Sequence, residues 1–187
     1  MIVERLRIAG CLRLVFQRLR DERGDFVKPY IAAEYKRFNL PTHFAEEYYS
    51  RSARNVLRGM HFQIPPDAHS KLISCLYGSI RDVIVDIRMG SPSYGASEVM
   101  DLDWADCSSL YLPPGIAHGF LVLGDSALVT YKVTSAHVPA HDMGIRWDSI
   151  GVNWGVDAPI ISLRDASFPA LAEFQSPFVY QSGQAQA

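Results

Sequence analysis

Apolar and polar positions in this chain alternate mostly with a period near two, and turn-forming residues interrupt them about every ten positions, which predicts short strands. The pattern is clearest in mid-chain. Leu72 to Tyr77 and Ile80 to Arg88 are rich in apolar and β-branched residues and flank Gly78 and Ser79, while Arg81, Asp82, Asp86 and Arg88 interleave the second run. That spacing predicts a hairpin with one dry face. Leu110 to Leu112 predicts a short strand halted at Pro113, Pro114 and Gly115, and Phe120 to Leu123 with Ala127 to Thr134 predicts a second hairpin around Gly124, Asp125 and Ser126. Nearer the start, Leu6 to Phe16 reads as a strand pair broken at Gly10 and followed by a polar loop over Asp21 to Phe26. Ile31 to Phe38 reads as a helix that ends before Pro41. Many short strands with little helix between them indicate an all-β sandwich or barrel, in which closing the sheet would hide its edges. The polar tail from about Gln181 is expected to fray.

The length of 187 residues suits one domain spanning the whole chain, and with nearly half its residues apolar it can bury a sizeable core. A formal charge of -2 and the absence of basic runs argue against a protein that coats nucleic acid or an anionic membrane. Any anionic ligand must then be met by a few placed cations. Cys11, Cys75 and Cys107 are odd in number and far apart, which supports neither a disulfide framework nor a zinc knuckle and fits a cytoplasmic location. Charges at Glu4, Arg5, Arg7, Arg13 and Arg18 break every early apolar run, so no membrane span is expected.

One stretch departs from strand patterning. Between Asn55 and Lys71 the chain places Arg58, His61, Gln63 and Lys71 around Gly59 and the pair Pro65 and Pro66. Burying so many polar heads without partners is costly, so the stretch reads as the polar end of a pocket. An imidazole there can act as a base near neutral pH, and an ammonium can stabilise a negative charge developing beside it. Taken singly, each residue also has an ordinary reading. Tyr131, inside an apolar strand, could be core, and Asp165 could be a turn residue.

The segments RGMHFQIPPDAHSKL, LYGSIRDVIVDIRMGSPSYG, PPGIAHGF and VTYKVT, with the late LRD at Leu163 to Asp165, resemble the dTDP-4-dehydrorhamnose 3,5-epimerase family of cupin-like sugar-nucleotide enzymes. The resemblance runs from the Asp21 to Phe26 turn to about Asp165. It implies a cupin-type jelly-roll β-barrel with a few short peripheral helices, and a homodimer that exchanges N-terminal strands. It also implies epimerisation, without metal or other cofactor, next to the 4-keto group of a nucleoside-diphosphate 6-deoxy sugar. Matched position by position, His61 is the general base, Asp165 the carboxylate behind it, Tyr131 the acid on the opposite face and Lys71 the residue beside the keto oxygen. Arg58 and Arg23 match cations near the diphosphate, His118 a pocket-lining histidine, and Gln63 and Phe26 pocket positions of less defined role. Gln63 also stands where a metal-binding cupin would carry the second histidine of a His-x-His pair, which argues against a metal centre.

Four departures from the family pattern surround the substrate positions. Glu46 and Tyr48 replace a Gln and an Asn, Lys28 replaces an acidic residue, and Ala136 and His137 stand where an aromatic pair is usual. A carboxylate at position 46 accepts hydrogen bonds and never donates them. These changes leave open a 3-mono-epimerase acting on another nucleotide, and, from other classes, a non-catalytic sugar-nucleotide-binding cupin or a metal-dependent one.

Overall fold

The computed structural model describes residues 1–181. The expected fraying of the tail falls almost wholly outside the described residues. In chain order the strands are β1 (Ile2–Arg5), β2 (Leu12–Val15), β3 (Arg18–Asp21), β4 (Gly24–Val27), β5 (Glu46–Ala53), β6 (Leu57–Gln63) and β7 (Lys71–Tyr77). They continue as β8 (Ser79–Asp86), β9 (Ser97–Asp103), β10 (Ser108–Leu112), β11 (Ile116–Val122), β12 (Ser126–Val133) and β13 (Asp142–Gly144). Two short helices, α1 (Ala32–Arg37) and α2 (Leu163–Ala166), lie outside the sheets.

The strands form a six-stranded sheet in the order β1-β2-β10-β7-β12-β5, a five-stranded sheet in the order β13-β6-β11-β8-β9 and a separate hairpin, β3-β4. All named pairs are antiparallel. The fold is therefore of the expected all-β jelly-roll type, but its sheets do not close into a hydrogen-bonded ring. β1, β5, β9 and β13 remain as edges.

Apolar residues from both sheets, among them Ile73, Leu110 and Val129 on one and Ile84, Ile116 and Phe120 on the other, pack into the central core. The outer face of the five-stranded sheet is covered as well: Leu57, Met60, Val83, Val85 and Leu121 pack against Ile145, Trp154 and Phe178 of the C-terminal segment. With both faces covered, β11 is buried at every position. A third cluster joins Leu12, Leu14 and Leu72 of the six-stranded sheet to Tyr35 of α1. Among the described residues no helix is long and apolar enough to cross a membrane.

The early chain departs from expectation in two places. Leu6 to Cys11 is the turn joining β1 to β2 rather than part of a strand, closed by Leu6 N–H donating to Cys11 O at 3.0 Å. The polar stretch Asp21 to Phe26 is the tip and second strand of the β3-β4 hairpin rather than a loop.

Candidate active site

A cavity of about 490 Å³ is walled by both sheets. His61 on β6 and His118 on β11 line it from the five-stranded sheet, and Tyr48, Lys71 and Tyr131, on β5, β7 and β12, from the six-stranded one.

His61 reaches the cavity because β6 and β11 pair closely, with His61 opposite His118 and a register shift before Phe120. The shift accommodates Gly59 against Gly119: a Cβ on Gly59, which has a φ of +146°, would stand 2.5 Å from the Gly119 Cα. His61 Nε2 hydrogen-bonds the Asp165 carboxylate at 2.9 Å. Asp165 is 4% exposed and sits in α2, where its N–H is capped by Ser162 Oγ at 3.0 Å. Its second oxygen accepts the Gly59 N–H at 3.2 Å. Burial alone would raise the carboxyl's pKa, but the hydrogen bonds from His61 and Gly59 and the charge of the imidazolium outweigh it and hold it below the usual carboxylate range. Whenever His61 carries a single ring proton, an ionised Asp165 holds that proton on Nε2. That leaves Nδ1, which has no hydrogen bond to any described residue, with a bare lone pair.

From the opposite wall Lys71 is 7% exposed and donates from Nζ to the His61 backbone carbonyl at 2.9 Å. Burial pulls its pKa down from the ordinary 10.5 to about 8. It is a cation held ready in a dry site, where a charge forming nearby is stabilised far more than in water. Tyr131 points inward with Ala127, Val129 and Val133 along β12 and is 8% exposed. Burial pushes its phenol up, so the hydroxyl keeps its proton. Tyr48 stacks on it, with ring centroids 4.9 Å apart and planes 19° from parallel. His118 Nε2 pairs with Asp82 at 2.7 Å, while the other oxygen of that fully buried carboxylate has no partner among the described residues. Arg58 lines the cavity and donates from Nε to Ser52 Oγ at 2.9 Å.

Other residues singled out in the sequence are placed differently. Gln63 lines the cavity, but its amide is fully engaged with backbone: Nε2 donates to Asp67 O at 2.6 Å and Ala136 O at 3.0 Å, and Oε1 accepts the Val138 N–H at 2.8 Å. It ties down the loops flanking the cavity. Glu46 and His137 lie on the rim, joined by the His137 N–H donating to Glu46 Oε1 at 3.0 Å. Arg23 and Phe26 do not line this cavity. They sit on the β3-β4 hairpin, where Arg23 is salt-bridged to Asp21 and Phe26 is 59% exposed.

Three titratable lining residues, His69, Asp142 and Arg164, were not singled out in the sequence. Arg164 pairs with Asp142 at 2.7 Å on the rim. His69 lies beside Lys71 with its pKa pulled down to about 3 by burial and by that cation, so it is a neutral wall group. A signal for His69 was present, since it falls inside the polar Asn55 to Lys71 stretch. Asp142 and Arg164 carried none, because only the tertiary fold brings residues 142 and 164 together.

Comparison with known proteins places this geometry in context. The sequence profile of the family described as dTDP-4-dehydrorhamnose 3,5-epimerase matches residues 5–173. The chain is 34% identical over 184 residues to a dTDP-4-dehydrorhamnose 3,5-epimerase of Sinorhizobium fredii, covering 96% of this chain and 94% of that one. It is 33% identical to a dTDP-4-dehydrorhamnose 3-epimerase of Streptomyces niveus, covering 90% and 83%. Among solved structures it resembles the dTDP-6-deoxy-D-glucose-3,5-epimerase of Legionella pneumophila in complex with dTDP-4-keto-L-rhamnose. There the TM-score is 0.91 and the identity 30%, over 97% of this chain and 99% of that one.

Proposed function

Since the chain belongs to the dTDP-4-dehydrorhamnose 3,5-epimerase family, we propose that it is an isomerase that inverts ring carbons of a nucleoside-diphosphate 4-keto-6-deoxy sugar in deoxysugar biosynthesis. The observation that carries the reading is one cavity with a carboxylate-backed imidazole on one sheet and a buried phenol and ammonium on the other.

The reaction follows from that placement. His61 Nδ1 takes the proton from a carbon next to the ketone. The electron pair moves into the C–C bond and onto the keto oxygen, where the Lys71 ammonium stabilises the enolate. Asp165 favours the imidazolium that forms. Tyr131, on the facing wall, donates its proton to the opposite side of the planar carbon, and the ketone re-forms with inverted configuration. Acid-base assistance of this kind is worth roughly 10²- to 10⁴-fold. Arg58 and, on the rim, Arg164 supply positive charge for the diphosphate. The enzyme is taken to work in the cytoplasm as a homodimer in which the β3-β4 hairpin brings Arg23 and Phe26 to the neighbouring protomer's cavity, since both lie away from their own.

A second reading, epimerisation at carbon 3 alone with a nucleotide other than dTDP, is favoured by Glu46 and Tyr48 on the rim. A carboxylate and a stacked phenol there select a different set of donors than an amide pair does. The test is incubation in deuterated water with dTDP-, GDP- or CDP-linked 4-keto-6-deoxyglucose, followed by NMR of carbons 3 and 5. Exchange at both carbons supports the 3,5-epimerase and exchange at carbon 3 alone the mono-epimerase. Absence of exchange with every nucleotide removes the catalytic reading and leaves a binding module.

A further inference from the structure

Asp165 acts only if α2 is held against β6, and apart from the Arg164–Asp142 ion pair and the backbone bonds of Ile160 upstream, α2 has little to hold it. It is four residues long, Asp165 is its single buried side chain, and Leu163 is 92% exposed. So short a helix has no independent stability. The nearest fixed point downstream is Phe168. Its ring meets the His61 ring edge-on, with centroids 5.9 Å apart and planes at 79°, and the Arg164 guanidinium lies 5.1 Å from its centroid. The following residue, Pro169, accepts the Arg146 N–H at 2.9 Å.

The ring fits there because residue 144 has no side chain. Gly144 stands opposite His61 in the β13-β6 pairing, and a Cβ on it would lie 2.3 to 2.6 Å from three carbons of the Phe168 ring. Those carbons belong to a half-buried ring that lies between His61 and the Arg164 guanidinium. The backbone at Gly144 lies outside the left-handed region, so alanine is disfavoured there by the collision alone.

We propose that Phe168, seated in the space left open by Gly144, is a positioning residue that sets the contact between Asp165 and His61, with Gly144 as its socket. The inference rests on the catalytic reading of His61 and Asp165 given above. An added methyl at position 144 drives the ring outward, and Asp165, three residues earlier, moves with it. A displacement of about 1 Å at such a contact can cost 10²-fold in rate without loss of binding.

The test is a double-mutant cycle of the wild type, Gly144→Ala, Phe168→Ala and the double variant. Turnover and KM are measured by deuterium exchange. The downfield imidazole N–H resonance of the His61–Asp165 hydrogen bond, assigned by its absence in Asp165→Asn, reads the contact directly. Gly144→Ala should lower kcat roughly 10²-fold with KM changed less than about threefold, and should shift or abolish the resonance. Phe168→Ala should also weaken the resonance, and adding Gly144→Ala to it should cost nothing further, because the collision partner is gone. Equal losses from Gly144→Ala on both backgrounds, or an unchanged resonance in Gly144→Ala, would overturn the proposal. Should Gly144→Ala not fold, an unchanged resonance in Phe168→Ala overturns it instead. If the wild type exchanges no sugar nucleotide, the catalytic reading fails while the resonance still decides whether Phe168 sets the contact.

Discussion

Replacing Asp165 by Asn keeps shape and volume and changes one thing, the sign of the hydrogen bonding at one atom. The wild-type carboxylate accepts from two donors, His61 Nε2 at 2.9 Å and the Gly59 N–H at 3.2 Å. An amide has one acceptor and one donor. If its NH₂ faced Gly59, two donors would meet and a buried N–H would lose its partner, a penalty of about 1–3 kcal/mol. The favoured arrangement keeps the amide oxygen on Gly59 and turns the NH₂ toward His61. Nε2 must then accept, and the imidazole proton moves to Nδ1, the nitrogen that has to be bare to take a proton from substrate. A comparable tautomer error in a carboxylate–histidine pair costs on the order of 10⁴ in turnover. Here kcat should fall about 10³- to 10⁴-fold, or about 4–5.5 kcal/mol of activation free energy. KM should change little, because Asp165 is buried behind the imidazole and does not line the cavity. Initial rates of solvent-deuterium incorporation, with a denaturant melt to confirm folding, provide the assay. A kcat within tenfold of wild type in a folded Asp165→Asn protein would refute the assignment of Nδ1 as the working nitrogen.

Further outcomes follow from other contacts. Tyr131→Phe should still exchange the sugar proton for deuterium through His61 but yield almost no inverted product, and chromatography of the product nucleotide sugar separates the two. Because Lys71 has its pKa lowered from 10.5 to about 8, the unfolded chain binds more protons between those values, and the native state is penalised at neutral pH. Lys71→Met should therefore unfold at higher denaturant than wild type at pH 7, by up to about 3 kcal/mol, with the gap closing as pH rises from 8 to 10.5. The same ionisation predicts that wild-type kcat/KM falls as pH passes about 8. Gln63→Ala removes three backbone ties and should destabilise the fold by about 2–4 kcal/mol in denaturant melts. Mixing and refolding Arg23→Ala with His61→Asn, each inactive alone, should restore activity to about a quarter of wild type if hairpins are exchanged in a dimer. Random pairing makes half the dimers mixed, each with one intact site. No recovery would rule out the exchange.

How much of this could be read from the sequence depended on whether a residue's environment was local. The mid-chain strands β7, β8, β11 and β12 and the helix α1 were legible because apolar period and turn residues set them within ten or so positions. The expected hairpins were not formed: β7 and β8, and likewise β11 and β12, follow each other across a turn and pair in different sheets. β5 and β9 were not, since Glu46 to Ala53 and Ser97 to Asp103 are largely polar edge strands whose pairing is decided by neighbours far along the chain. β11 is dry on both faces and so shows no alternation to read. His61, Lys71 and Gln63 stood out because polar groups crowd one short stretch, yet nothing local revealed that the Gln63 amide is fully engaged with loop backbone. The partnership of His61 with Asp165 spans 104 residues and entered only through the resemblance. The contact of Phe168 with Gly144 carried no sequence signal, because a missing side chain is informative only once its neighbour is placed.

The position of β5 has a consequence for how such a pocket can change. Strands β6 and β12, bearing His61 and Tyr131, are each flanked on both sides, so an altered residue there disturbs two neighbours. β5 is bordered only by β12, and it carries Glu46 and Tyr48. The residues proposed to move protons are thus built into the interior of the sheets, while Glu46 and Tyr48, proposed to select the nucleotide, sit on a margin. New preferences can arise on β5 while the reaction itself stays intact.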